Sequence, residues 1–151
     1  MPATRLDPLA ETLERLERQL EVPYVSGELH SWSEEIIALL GEIDGRLATA
    51  IGGHPQQFQT IVKNYPNLNT QVEKMRAEDQ NLDASLQSVS SHAAGFARGV
   101  KETVLAEQQI QPKREKLVAE GLAFIIQVRK QQAALDTWLN ESLRRDNGAG
   151  D

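Results

Sequence analysis

Cysteine is absent from this 151-residue chain, and histidine occurs only three times, as His30, His54 and His92. Without thiols, disulfides, thiolate zinc sites, iron–sulfur clusters and cysteine nucleophiles are all excluded. A domain near this length buries about 68–70% of its unfolded surface, so it needs no such staple to fold. Long apolar runs are missing too: nothing approaches the roughly 20 residues required to span a bilayer. Residues 1–21 carry charges every few positions and lack the apolar stretch of a secretory signal. A cytoplasmic protein with no membrane contact is expected.

Catalytic signatures are equally scarce. There is no Gly-rich phosphate loop, no zincin helix motif and no Gly-x-Ser-x-Gly turn. The formal charge of −6, from 22 acidic and 16 basic side chains, repels phosphate backbones. Lys113, Arg114 and Lys116 cluster, but Glu115 interrupts them, and the group reads as solvated helix surface. No nucleic-acid partner is expected, and no enzyme.

What is present is helix. Asp7 as N-cap and Pro8 at the first helical position open a helix carrying Leu9, Leu13, Leu16 and Leu20 at spacings of 4, 3 and 4. Pro23 ends it. Ser31 with Glu34 three residues on reads as a capping box for a second helix. Its apolar face holds Leu29, Trp32, Ile36, Leu39, Leu40, Ile43, Leu47 and Ile51, and Gly52-Gly53 are expected to stop it. His54 to Pro66 is then a connector with a helical turn or two. A third seam alternates by 4 and 3 through Leu68, Val72, Met75, Asp79, Leu82, Leu86 and Val89. Between Ser90 and Gln111 the pattern weakens around Gly95 and Gly99, with helix expected again from Val100 to Ile110. Pro112 is expected to begin the last helix, whose seam is Leu117, Gly121, Phe124, Val128, Gln131, Leu135, Trp138 and Ser142. Residues 146–151 read as a Gly-rich flexible tail. Four long segments with short connectors point to one all-α domain, residues 1–151, folded as an up-down-up-down four-helix bundle.

Asp79 and Gln131 interrupt two of these apolar seams. An unpaired buried carboxylate is costly, so Asp79 must find a partner, stay wet or keep its proton. One reading is structural, with Gln131 as its hydrogen-bond partner. The other is an internal polar site between facing helices that both residues line. All three histidines read as surface residues; His30, four residues before Glu34, is the one candidate for a metal pair.

The same residues carry a family resemblance. Pro66, Leu68, Arg76 and Glu78 match the third helix of hemerythrin-like proteins, which reads Pro-x-Leu and then Arg-x-Glu-His; Asp79 stands in the place of that histidine. Glu141, Asp146, Gly148, Gly150 and Asp151 resemble the family's final segment, with Gln131 where its histidine would fall. Leu13 to Leu20, Pro23 and Trp32 are similar to the start of one bacterial branch, whose second helix ends in a His and a Glu; Ala48 and Gly53 occupy those places here. The resemblance covers roughly residues 9 to 151 and implies the hemerythrin-like bundle fold. It also implies that the di-iron ligands are gone, because the family's histidine positions hold other residues.

A non-catalytic, metal-free hemerythrin-like bundle, serving as a structural or protein-interaction module with no cofactor, is therefore the expected function. It would be a monomer or homodimer, open to a protein partner. The alternative is a metal-binding sensor or carrier for oxygen, redox state or iron, with a divergent carboxylate-rich site at Asp79, Gln131 and Glu141. A further reading gives the leading helix to pairing between chains.

Overall fold

The computed structural model describes residues 7–148. Helix α1 spans Pro8–Leu20, α2 Leu29–Asn64, α3 Asn69–Lys101 and α4 Glu107–Gly148, with a short 3-10 turn at Pro66–Leu68. No strand occurs among the described residues. No described helix is long and apolar enough to cross a membrane. Residues 146–148, read from sequence as tail, continue α4; Gly150 and Asp151 lie outside the described residues.

The helices are longer than their punctuation suggests. Helix α2 does not stop at Gly52-Gly53 but runs on through Pro55 to Asn64. Each interior glycine costs about 1 kcal/mol against alanine and a proline about 3 kcal/mol. Against this, the continuation buries Phe58 and Ile61 completely, and each such side chain contributes about 1.5–3 kcal/mol. Packing outweighs local preference. In the same way α3 passes Gly95 and Gly99 because Ala93, Phe96 and Ala97 keep its inner face buried. Helix α4 begins at Glu107, so Pro112 lies inside it rather than at its start. At the other end, α2 starts at Leu29 with Glu28 as N-cap and no side-chain cap, not with Ser31. Asp7 does stand at the N-cap of α1 and Pro8 at its first turn, but the Asp7 carboxylate bonds Gln132 rather than a backbone N–H of α1.

Residue pairs define how the helices meet. Trp32 Nε1 donates to the carbonyl of Gln19 at 2.9 Å, and Arg46 Nη1 donates to the carbonyl of Pro8 at 2.8 Å, so α1 runs antiparallel to α2. Asp44 meets Gln87 and His54 meets Asp79, so α3 descends along α2. Ser85 bonds Gln127, and Asp79 bonds Gln131, which sends α4 back along α3. Helix α1 packs on α2 and α4 and does not approach α3. Its four leucines are buried within the chain, so the stripe is already occupied and is not left for pairing between chains. Gly121 explains how closely α1 and α4 approach: a Cβ there would lie 2.7 Å from Leu20 Cδ1.

Length decides the architecture. At 1.5 Å per residue, the 13 residues of α1 reach about 20 Å, while the 36 of α2 reach about 54 Å. The larger core cluster draws on all four helices, from Leu9 through Leu47 and Leu82 to Val128. The smaller one, Phe58, Ile61, Val72, Met75 and Leu135, is built by α2, α3 and α4 alone. Four helices thus give way to three partway along the molecule.

Two expectations test these assignments. Gly52 and Gly53 have open space at the Cβ position and lie inside α2. Replacing either with Ala should raise urea stability by about 1 kcal/mol; a loss of stability would mean that the helix stops there. Thr103 holds φ at 51°, following the end of α3. Its N–H bonds the carbonyl of Val100 and that of Val104 bonds Gly99, a pair of contacts that makes it the left-handed residue of a Schellman cap. A β-branched residue is strained there, so Thr103→Gly should stabilise the fold by roughly 1 kcal/mol in the same assay.

Candidate functional site

Between the two apolar clusters lies a buried polar layer contributed by three helices. Its centre is Asp79 on α3, 8% exposed, flanked by His54 on α2 at 7% and Gln131 on α4 at 5%. His54 Nδ1 stands 3.0 Å from Oδ1 and 2.9 Å from Oδ2 of Asp79. A carboxylate only accepts, so Nδ1 carries the proton and donates. Gln131 Nε2 donates to Asp79 Oδ1 at 3.0 Å and to the carbonyl of Met75 at 2.8 Å. Both carboxylate oxygens therefore have donors, and the glutamine uses both amide hydrogens. A mutually satisfied network is how a polar cluster persists in a core, since an orphaned group there costs about 1–3 kcal/mol.

The sequence pattern brings Asp79 and Gln131 to one level, and the structure joins them. Glu141 is not with them. It lies ten residues beyond Gln131, about 15 Å along α4, with its side chain 48% exposed and 3.7 Å from Arg144. Glu78 also turns away: it accepts from Asn81 and Gln127, because adjacent helical residues point about 100° apart. A carboxylate-rich centre at Asp79, Gln131 and Glu141 is thus not assembled. No group of three His, Cys, Asp or Glu side chains suited to a metal ion occurs among the described residues.

His54 is the correction that matters most. A connector position would put it at the surface; it is instead the third member of the layer. Gly52-Gly53 before it and Pro55 after it hide the helix. The signal was nevertheless present, because Leu47, Ile51, His54, Phe58 and Ile61 continue the α2 seam at spacings of 4, 3, 4 and 3. Phe58 packs against the imidazole at 5.8 Å between ring centroids and lies under the Arg76 guanidinium at 5.3 Å. Ala48 and Gly53 lie on the exposed side of α2. The other two histidines are at the surface, His30 3.9 Å from Glu34 and His92 paired with Glu120.

A second correction concerns the basic cluster. Lys113 and Lys116 are exposed, but Arg114 is 9% exposed and belongs to the core-facing stripe of α4, three residues before Leu117. Its guanidinium lies 4.5 Å over the Trp32 ring and 5.8 Å from that of Tyr24, and donates from Nη2 to the carbonyl of Val22. Burial lowers its pKa from the ordinary value; Glu115 and Tyr24 partly oppose this.

Comparison with protein-family models, with curated proteins and with solved structures found no match to this chain.

The polar layer has a clear mutational signature. Asp79→Ala strips His54 and Gln131 of their shared acceptor, and a loss of about 3–5 kcal/mol in unfolding free energy is expected. Replacing all three with leucine removes every polar group at once and should cost far less than Asp79→Ala alone. Urea titrations of both variants check this; a triple variant less stable than the single one would contradict it.

Proposed function

We propose that this chain is a hemerythrin-like bundle of up-down-up-down type that has lost its di-iron centre and serves as a non-catalytic structural or protein-interaction module in the cytoplasm. The observation that carries this reading is the state of Asp79 and Gln131. These residues stand where the resemblance places two histidine ligands; they bond to each other, and Asp79 also bonds His54. Groups that would have pointed at metal are committed to one another. A di-iron centre of this type needs several imidazoles with bridging carboxylates, and one imidazole, that of His54, faces this layer. The order of antiparallel pairings, α1 to α2, α2 to α3 and α3 to α4, supports the bundle type.

One observation favours the metal-binding alternative. A carboxylate holding Nδ1 of an imidazole is the usual second-shell arrangement of a histidine ligand, leaving Nε2 for an ion. The two readings separate on metal content. Protein expressed in iron-supplemented medium and purified without chelators should carry only substoichiometric iron, zinc or manganese by plasma mass spectrometry. Stoichiometric metal that disappears in His54→Gln would establish the sensor or carrier reading instead.

A further inference from the structure

The least explained group in the fold is the Arg114 guanidinium. It is a buried cation without an ion pair: no carboxylate lies within 4.0 Å of it among the described residues, and its Nε is sealed from water with no acceptor. Shortage of acids is not the reason, since the chain has 22. Leaving a charge uncompensated in a core is strongly unfavourable unless something else completes it. Two aromatic faces, one backbone carbonyl and the charge of neighbouring Glu115 complete it in part.

The same guanidinium lines a cleft of about 140 Å³ between the α1–α2 connector and α4. Val22, Pro23, Tyr24, Val25 and Trp32 give it an apolar side, and Gln19 and Ser31 add polar groups. Among the described residues, Val22, Tyr24 and Val25 are three of the few large apolar side chains left exposed. A cavity of about 150 Å³ is known to hold a benzene ring, so this one has room for a single ring or branched alkyl group. Glu28 also lines the cleft; its charge weakens the binding of any anion and disfavours a doubly charged one most.

We propose that this cleft binds a small monocarboxylate bearing one aromatic or branched-chain group, with Arg114 as the carboxylate receptor. Arginine suits the task because its Nη groups present a planar edge to a carboxylate while its faces stack on aromatic rings; the sealed Nε takes no part in that contact. The apolar part of the ligand would fill the space beside Trp32 and under the connector. The site is independent of the polar layer, because Arg114 lies 17 residues before Gln131, about 25 Å along α4.

Trp32 and Trp138, the two tryptophans of the chain, provide the assay. Their indole resonances in a proton–nitrogen spectrum would be followed as sodium benzoate, sodium isovalerate, benzamide and inorganic phosphate are added to the full chain. Benzoate and isovalerate should move the Trp32 signal saturably and leave Trp138 in place. Benzamide should bind about tenfold more weakly, and phosphate should have no effect, given the charge-assisted contact and Glu28. Arg114→Met, which keeps the bulk of the stem, should abolish the response. A Trp32 signal indifferent to both carboxylates would overturn the proposal, as would benzamide matching benzoate or a folded Arg114→Met variant that still responds. Should that variant fail to fold, the benzoate–benzamide comparison on the unaltered chain still decides.

Discussion

A carboxylate inside a helical core has to be shared, and the sharing of Asp79 between His54 and Gln131 constrains the rest of this molecule. Apolar seams slide past one another at little expense, since one leucine layer resembles the next. Directional bonds from an imidazole and an amide to one carboxylate do not. They fix the register of α2, α3 and α4 at one level, and a shift of a helical turn by any of them would strand a buried polar group. A register role for buried polar residues is well attested in helical assemblies.

The layer's position follows from the length of α1. Arg46 on α2 holds the first turn of α1, bonding both the carbonyl of Pro8 and the hydroxyl of Thr12. His54 comes two turns later, where four packed helices become three. Leucine layers fill the wider part, and beyond the polar layer a smaller cluster around Phe58, Ile61 and Met75 suffices. Further on, Asn64 donates to the carbonyl and hydroxyl of Ser142, and that hydroxyl reaches the carbonyl of Thr60, so the three-helix part has a second polar tie of its own.

The sequence displays much of this and conceals the rest for identifiable reasons. The seams of α1, α3 and α4 are legible because leucine, valine and phenylalanine recur at helical spacing, and the same spacing exposes Asp79 and Gln131 as intruders. Glycine and proline mislead. Each penalises a helix locally, and no local rule reveals that Phe58 and Ile61 would bury enough surface to carry α2 across Gly52, Gly53 and Pro55. His54 was lost with that helix. Arg114 was lost in the same way, because a helix taken to begin at Pro112 leaves it in the first turn among solvated lysines. Glu141 shows the opposite error: its place came from resemblance alone, not from the seam, and it lies on the outer face.

Whether this layer is a closed structural network or an open coordination site is answered by the ring signals of His54. Proton–nitrogen spectra of the imidazoles, recorded with and without one equivalent of cobalt(II), read the donating nitrogen and any bound ion together. For a network closed on itself, the Nδ1–H signal of His54 exchanges slowly and keeps its position when cobalt is added. Paramagnetic displacement centred on His54 Nε2 would contradict it.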